Sequence, residues 1–223
     1  MPPRKRRSSL RWTFERGLRP EGVAVIAGVD EVGRGCWAGP VYAVAAILPD
    51  GLKHRHLNDS KILPAECRAE LNHFLCAHPE VRWAIGIATT GEIDTHNILR
   101  ASLLAMRRAV EALAVEPHLC LIDGNMKAGL RCTEVTVIDG DAKCPSIAAA
   151  SVIAKVARDA AMVELAALYP HYGLENHKGY GTPEHQRALA LHGPCAIHRR
   201  NFAPIRARAG ALVQDNGANG ELW

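Results

Sequence analysis

Ten residues, Ile26-Ala-Gly-Val-Asp-Glu-Val-Gly-Arg-Gly35, set the tightest limit on how this chain can fold. An apolar run climbs to two adjacent carboxylates, Asp30 and Glu31, and breaks at once into a glycine-flanked arginine. A charge at the end of a buried strand is expensive unless something cationic meets it. Glycines beside it let another backbone approach closely. Acids for metal ions beside glycines and an arginine for phosphate are the first reading. Two later strand-like runs end the same way: residues 118–122 run into Asp123-Gly-Asn125, and residues 134–138 into Asp139-Gly-Asp141. Each Asp-Gly pair alone reads equally well as a turn. Three acid-tipped runs together point to one site, because groups at strand ends converge even when far apart in sequence.

The segments between them predict a mixed α/β sheet flanked by helices. Residues 23–29 and 41–48, rich in Val, Ile and Ala, form a hairpin through the glycine-rich turn at 33–40. Residues 81–89 add a third strand, after a helix opened by Pro64. Leu99, Leu103, Met106, Val110 and Leu113 repeat with helical period, so 94–113 reads as one helix with a core-facing stripe, capped by Asp94 or Thr95. Pro145 starts a long helix to about residue 168, and a shorter one covers 183–191. Adjacent acids on an ideal strand point to opposite faces. Asp30 and Glu31 therefore serve one site only if Glu31 already belongs to the irregular turn.

At 223 residues and 48% hydrophobic content the chain suits one globular domain with appendages. The net charge of +4 is unevenly spread. Arg4, Lys5, Arg6, Arg7, Arg11, Arg16 and Arg19 face a single acid, Glu15, within residues 1–20, so the remainder carries a slight acidic excess. Residues 1–20 read as a flexible basic arm, either a solvated tail or an electrostatic tether to phosphate. Residues 21–206 form the globular body, and 207–223 an Ala/Gly-rich disordered tail. Seven scattered cysteines without a C-x-x-C pair indicate free thiols in a reducing compartment. No apolar run is long enough to span a bilayer, and the basic start lacks the apolar core of a secretory signal. The expectation is a cytoplasmic protein with no membrane association.

Four carboxylates aimed at one point repel one another unless divalent cations are present. Oxygen donors without His or Cys select Mg²⁺ or Mn²⁺. Two such ions suit in-line attack of water on a phosphodiester.

Taken in order, Gly28-Val-Asp-Glu-Val-Gly-Arg-Gly35, Asn58-Asp-Ser-Lys61, Ile122-Asp-Gly-Asn125, Asp141 followed by Ser151-Val-Ile-Ala-Lys155, His177-Lys-Gly-Tyr-Gly181 and His198-Arg-Arg200 resemble ribonuclease HII over residues 23–205. The resemblance implies a ribonuclease-H-like mixed five-stranded sheet flanked by helices, with a C-terminal helical extension. It implies a monomeric endonuclease that hydrolyses RNA in RNA–DNA hybrids. The same enzyme would cut 5′ of single ribonucleotides in duplex DNA by two-metal-ion catalysis, leaving a 3′-hydroxyl and a 5′-phosphate and initiating ribonucleotide removal. By position it makes Asp30, Glu31, Asp123 and Asp141 the catalytic metal ligands for Mg²⁺ or Mn²⁺. Gly33, Arg34 and Gly35 become the readers of the 2′-hydroxyl, and Tyr180 the ring packed on the next deoxyribose. Only the 2′-hydroxyl separates RNA from DNA at a given position, so a glycine-lined contact there is physically apt. Ser151, Lys155 and Arg158 form a polar helical stripe, and the resemblance makes Ser151 and Lys155 phosphate contacts. Lys61, His177-Lys178 and Arg199-Arg200 are weaker candidates of the same kind.

Two positions depart from the family pattern. Asp139 stands where a non-acidic residue is common and is expected not to be a ligand. Lys61-Ile62 replaces a Lys-Lys pair, leaving one cation fewer. The alternatives are a ribonuclease HIII type, which usually carries a further N-terminal domain, and a nucleic-acid-binding module without catalysis. A dinucleotide-binding enzyme fails, because Val32-Gly-Arg-Gly35 lacks the G-x-G-x-x-G spacing and precedes a strand.

Overall fold

The computed structural model describes residues 12–57 and 63–208. Lys61, residues 1–11 of the expected arm and 209–223 of the expected tail lie outside the described residues. The chain divides into two compact units. The first comprises Met1–Val32, Tyr42–Ile87 and Leu103–Val156, and the second Gly33–Val41, Ala88–Ser102 and Ala157–Trp223.

A five-stranded sheet is built from β1 (Ile26–Val32), β2 (Val41–Ile47), β3 (Arg82–Ala88), β4 (Leu119–Asp123) and β5 (Thr133–Val137), in the order β3-β2-β1-β4-β5. The expected hairpin is present, β1 running antiparallel to β2 with Gly28 opposite Ala46. β1 is parallel to β4, and β4 to β5. Four of the five strands lie within one residue of their expected bounds, β1 runs Ile26–Val32 instead of 23–29, and the mixed sheet with flanking helices agrees with the expected class.

Two glycines explain how helices lie so close to this sheet. A Cβ on Gly28 would stand 2.2 Å from the backbone nitrogen of Ile147, in helix α5 (Pro145–Leu168). A Cβ on Gly86 would stand 2.0 Å from the carbonyl oxygen of Ala105, in helix α4 (Ile98–Glu111). Bare backbone at these points lets helix and strand touch, and α4 accordingly buries Ala101, Ala105 and Ala109 along with Met106 and Val110. The first unit's core lies around Val44, Leu71, Leu75, Ala148 and Ile153, with a second group around Leu119, Leu121 and Ile147.

Three expectations need correction. The single helix over 94–113 is two, α3 (Thr90–His96) and α4, because Asn97 adopts a left-handed φ of 70°. Its side-chain oxygen then accepts the Arg100 amide at 3.1 Å. Asparagine is a good cap for the helix it opens. The cap of α3 is Thr89, in a reciprocal capping box with Glu92, and not Asp94 or Thr95. The flexible arm does not reach residue 20, since Trp12–Gly17 form helix α1. Its Glu15 is buried and accepts the Ser146 amide at 3.0 Å and the Ser146 hydroxyl at 2.9 Å. A carboxylate at a helix start meets orphaned N–H groups and the positive end of the dipole. The remaining helices are α2 (Ala65–Ala77), α6 (Leu174–His177) and α7 (Pro183–His192), followed by a helical turn at 203–208 that passes the boundary expected at 207. Among the described residues no helix is long and apolar enough to cross a membrane.

Candidate active site

The four expected acids all fall in the first unit. The last paired residues of the parallel strands β1 and β4 are Val29 and Ile122. Asp30 and Asp123 each stand one step beyond, at the same end of neighbouring strands. Asp141 lies past β5 on a single 3₁₀ turn, Gly140–Ala142, and is 1% exposed. Glu31 does not belong to the turn as expected. It is a strand residue paired with Ala43, because β1 continues to Val32. The condition set from strand geometry is therefore not met, and what links Glu31 to Asp30 is that its charge acts on that carboxyl.

Backbone amides orient two of the carboxylates. The Glu31 amide donates to Asp30 Oδ1 at 2.8 Å, and the Gly140 amide donates to Asp123 Oδ1 at 2.7 Å. Burial first, then the negative charges of Asp123, Glu31 and Asp141, drive the Asp30 carboxyl well above its ordinary range, against a hydrogen bond from Ser151. One carboxyl thus feels the other three. Four neighbouring acids, Asp30 and Asp141 buried and Glu31 and Asp123 half-buried, carry a cost that divalent cations relieve, and an all-oxygen donor set fits Mg²⁺ or Mn²⁺. Among the described residues no trio of His, Cys, Asp or Glu is closed up as a cage around one point. What the geometry supplies is mutual electrostatic proximity. Asp139 is exposed in a left-handed conformation.

Ser151 and Lys155 lie one turn apart on α5, both half-buried, and the Ser151 hydroxyl meets Asp30. The stripe does not continue as expected. Arg158, in the second unit, is fully buried and donates to the carbonyls of Pro40 at 3.0 Å, Lys178 at 3.0 Å and Ala38 at 3.2 Å. It is a structural brace.

Gly33, Arg34, Gly35 and Tyr180 belong to the second unit. Gly33 has φ of +95°, and a Cβ there would fall 2.2 Å from Arg158 Nε. Arg199 is the other brace, fully buried and not a phosphate contact. Its guanidinium donates to the carbonyls of Gly33 at 2.7 Å, Arg34 at 2.9 Å and Gly39 at 3.0 and 2.8 Å. Burial lowers its pKa to about 10, and the carbonyl dipoles it bonds help carry the charge. With every peptide trans, a carbonyl turned toward Arg199 turns the next N–H the opposite way. The amides of Arg34 and Gly35 therefore point away from the brace.

Gly35 differs from its neighbours. The nearest atom to a Cβ placed there is Tyr180 Cε1 at 3.9 Å, so nothing inside the protein forbids a side chain. The Tyr180 ring beside it is 41% exposed. Of the weaker candidates, His177 is buried, Lys178 bonds the Glu175 carbonyl, and Arg200 is exposed. Sequence reasoning missed Glu15, whose only signal is that it is the lone acid in a basic segment. It also missed the buried histidines described below, which have no local pattern.

A mixed sheet with acids at the ends of its central strands, and a glycine-arginine turn directly after the first of them, defines a nuclease of the ribonuclease H class. Residues 27–205 match the model of the ribonuclease HII family, and the chain belongs to that family. It is 54% identical to Ribonuclease HII of Bordetella pertussis over 184 residues, covering 82% of this chain and 91% of that one. It is 51% identical to Ribonuclease HII of Moorella thermoacetica over 191 residues, covering 86% and 92%. The crystal structure of ribonuclease H2 from Pyrococcus horikoshii superposes with a TM-score of 0.73 at 26% identity, covering 86% of this chain and all of that one. Bst-RNase HIII in complex with Mn²⁺ shares the fold at 19% identity and a TM-score of 0.64, covering 87% and 71%. The protein is a metal-dependent endoribonuclease with ribonuclease H activity on RNA–DNA hybrids.

Proposed function

We propose that this enzyme also cuts duplex DNA on the 5′ side of a single embedded ribonucleotide, leaving a 3′-hydroxyl and a 5′-phosphate, and so starts ribonucleotide removal. Asp30, Glu31, Asp123 and Asp141 would hold two divalent ions, Mg²⁺ or Mn²⁺. The observation that carries this reading is the convergence of three carboxylates on buried Asp30. When bound, the ions supply Lewis acidity to the scissile phosphate and lower the pKa of the attacking water.

The chain's own residues orient and discriminate. The Glu31 and Gly140 amides and the Ser151 hydroxyl fix carboxylate oxygens before any ligand arrives, which is preorganisation of the kind catalysis needs. Lys155, one turn along α5, is a phosphate contact. In the second unit the Arg34 and Gly35 amides, turned from Arg199, are donors for a 2′-hydroxyl, and the bare Cα of Gly35 gives a sugar room to come close. Tyr180 packs on the following sugar and rejects a 2′-hydroxyl there by crowding. Together these mark an RNA-to-DNA step. The body at 21–206 acts as a monomer in the cytoplasm.

The test compares cleavage of a duplex holding one ribonucleotide with cleavage of an uninterrupted RNA strand paired to DNA. Wild type cuts both, and Tyr180→Ala is expected to lower the single-ribonucleotide rate relative to the hybrid rate. An unchanged ratio would show that Tyr180 is not the junction reader.

A further inference from the structure

Three histidines of the second unit, His177, His185 and His198, are buried, each at most 8% exposed. Every ring nitrogen has a partner, and the partners admit one neutral proton assignment. The Gly179 amide donates to His177 Nδ1 at 3.2 Å, so the proton of that ring is on Nε2 and goes to the Tyr172 carbonyl at 2.7 Å. The Cys195 amide donates to His198 Nδ1 at 3.0 Å, which leaves the His198 proton on Nε2. That nitrogen lies 3.0 Å from His185 Nε2, which must accept. The His185 proton is then on Nδ1 and donates to the Tyr180 carbonyl at 3.0 Å.

The relay ends on the residue whose ring faces out beside Gly35. The Tyr180 carbonyl also accepts the Thr182 amide at 2.8 Å, and the Tyr180 amide donates to the His177 carbonyl at 2.9 Å. The His177 ring stacks on His185 with centroids 4.5 Å apart, so the Tyr180 backbone is held by the His185 ring on one side and the His177 main chain on the other. The groups acting on His185 are His177, Arg208 and Glu184, with the Trp37 ring 5.8 Å away. Those acting on His198 are His185 and His177, with the Tyr172 ring 4.8 Å away and the Cys195 thiol at 3.2 Å. Burial lowers both pKa values, that of His198 to about 4, which keeps the relay neutral near pH 7. An extra proton would set two N–H groups head to head.

We propose that His185 is a positioning residue for junction recognition, its Nδ1 proton holding the Tyr180 carbonyl and hence the Tyr180 ring beside Gly35. This rests on the reading of Tyr180 as the junction reader.

Two measurements test it. In ¹⁵N-labelled protein near neutral pH, histidine NMR should show the proton on Nδ1 of His185 and on Nε2 of His177 and His198. A proton on Nε2 of His185 overturns the proposal, and this result needs no variant. In kinetics, His185→Leu should raise KM for the single-ribonucleotide duplex by about tenfold, with kcat changed much less, because misplacing a recognition group is costly. His185→Asn, whose amide replaces the Nδ1 donor, should restore the wild-type ratio of the two substrates. His185→Leu should add nothing to Tyr180→Ala. If Tyr180→Ala lowers the ratio while folded His185→Leu does not, the positioning role is wrong and the Tyr180 reading stands. If Tyr180→Ala itself changes nothing, the Tyr180 reading falls and the proposal with it.

Discussion

Ionised Asp30 works against folding in the metal-free protein. Its carboxyl is held well above the ordinary range by burial and three neighbouring acids. Between its ordinary pKa and the raised one, the folded state therefore binds more protons than the unfolded state. Stability falls as pH rises through that window. Calorimetry without metal should show the melting temperature dropping as pH climbs above the ordinary carboxylate range. Asp30→Asn should flatten that slope and raise the melting temperature near pH 7 by a few degrees, and identical slopes would contradict the account. Arg199 contributes through the hydrogen bonds it donates. A lysine cannot span the Gly33, Arg34 and Gly39 carbonyls, so Arg199→Lys should cost about 2–4 kcal/mol in urea unfolding. The four acids were legible in the sequence because acids at the ends of apolar runs have few structural uses. Arg158 and Arg199 were not, since an arginine reads the same whether its head meets a phosphate or an inward-turned carbonyl.

Elements were legible where one local rule decided them. The strands followed from alternation and β-branched content, and α5 from its opening proline. The break at Asn97 was hidden because the apolar stripe runs on through a left-handed residue. Helix α1 was hidden because its stability comes from long-range contacts, Trp12 to the Leu52 carbonyl, Arg16 to Asp50 and Glu15 to Ser146. Removing that acceptor in Glu15→Ala should cost about 1–2 kcal/mol. Glu15→Gln keeps an acceptor and relieves a carboxyl already pushed up by burial, so it should be close to neutral. Comparing the two melts checks this directly. Gly28→Ala is the harsher test of packing. Its Cβ would meet α5 backbone at 2.2 Å, which cannot move aside as a side chain would. A loss of about 3 kcal/mol or more is expected. Activity should fall with it, because α5 carries Ser151 against Asp30.

For the molecule as a whole, the four acids and the proposed junction reader fall in different compact units. Lesions in the acids should therefore lower cleavage of both substrates together, while lesions at Gly35 or Tyr180 should change their ratio. The slight acidic excess outside residues 1–20 gave no hint of a nucleic-acid enzyme, and only the ordered motifs did. The central claim is that the four converging carboxylates do the cutting. It is tested most directly by single-turnover cleavage of a one-ribonucleotide duplex by Asp30→Asn at saturating Mg²⁺ or Mn²⁺, with duplex binding measured in parallel. The account predicts binding close to wild type and cleavage lost by a factor of about 10³ or more, the scale set by removing one preorganised group from a reaction centre. Substantial cleavage by a folded, duplex-bound Asp30→Asn would contradict it.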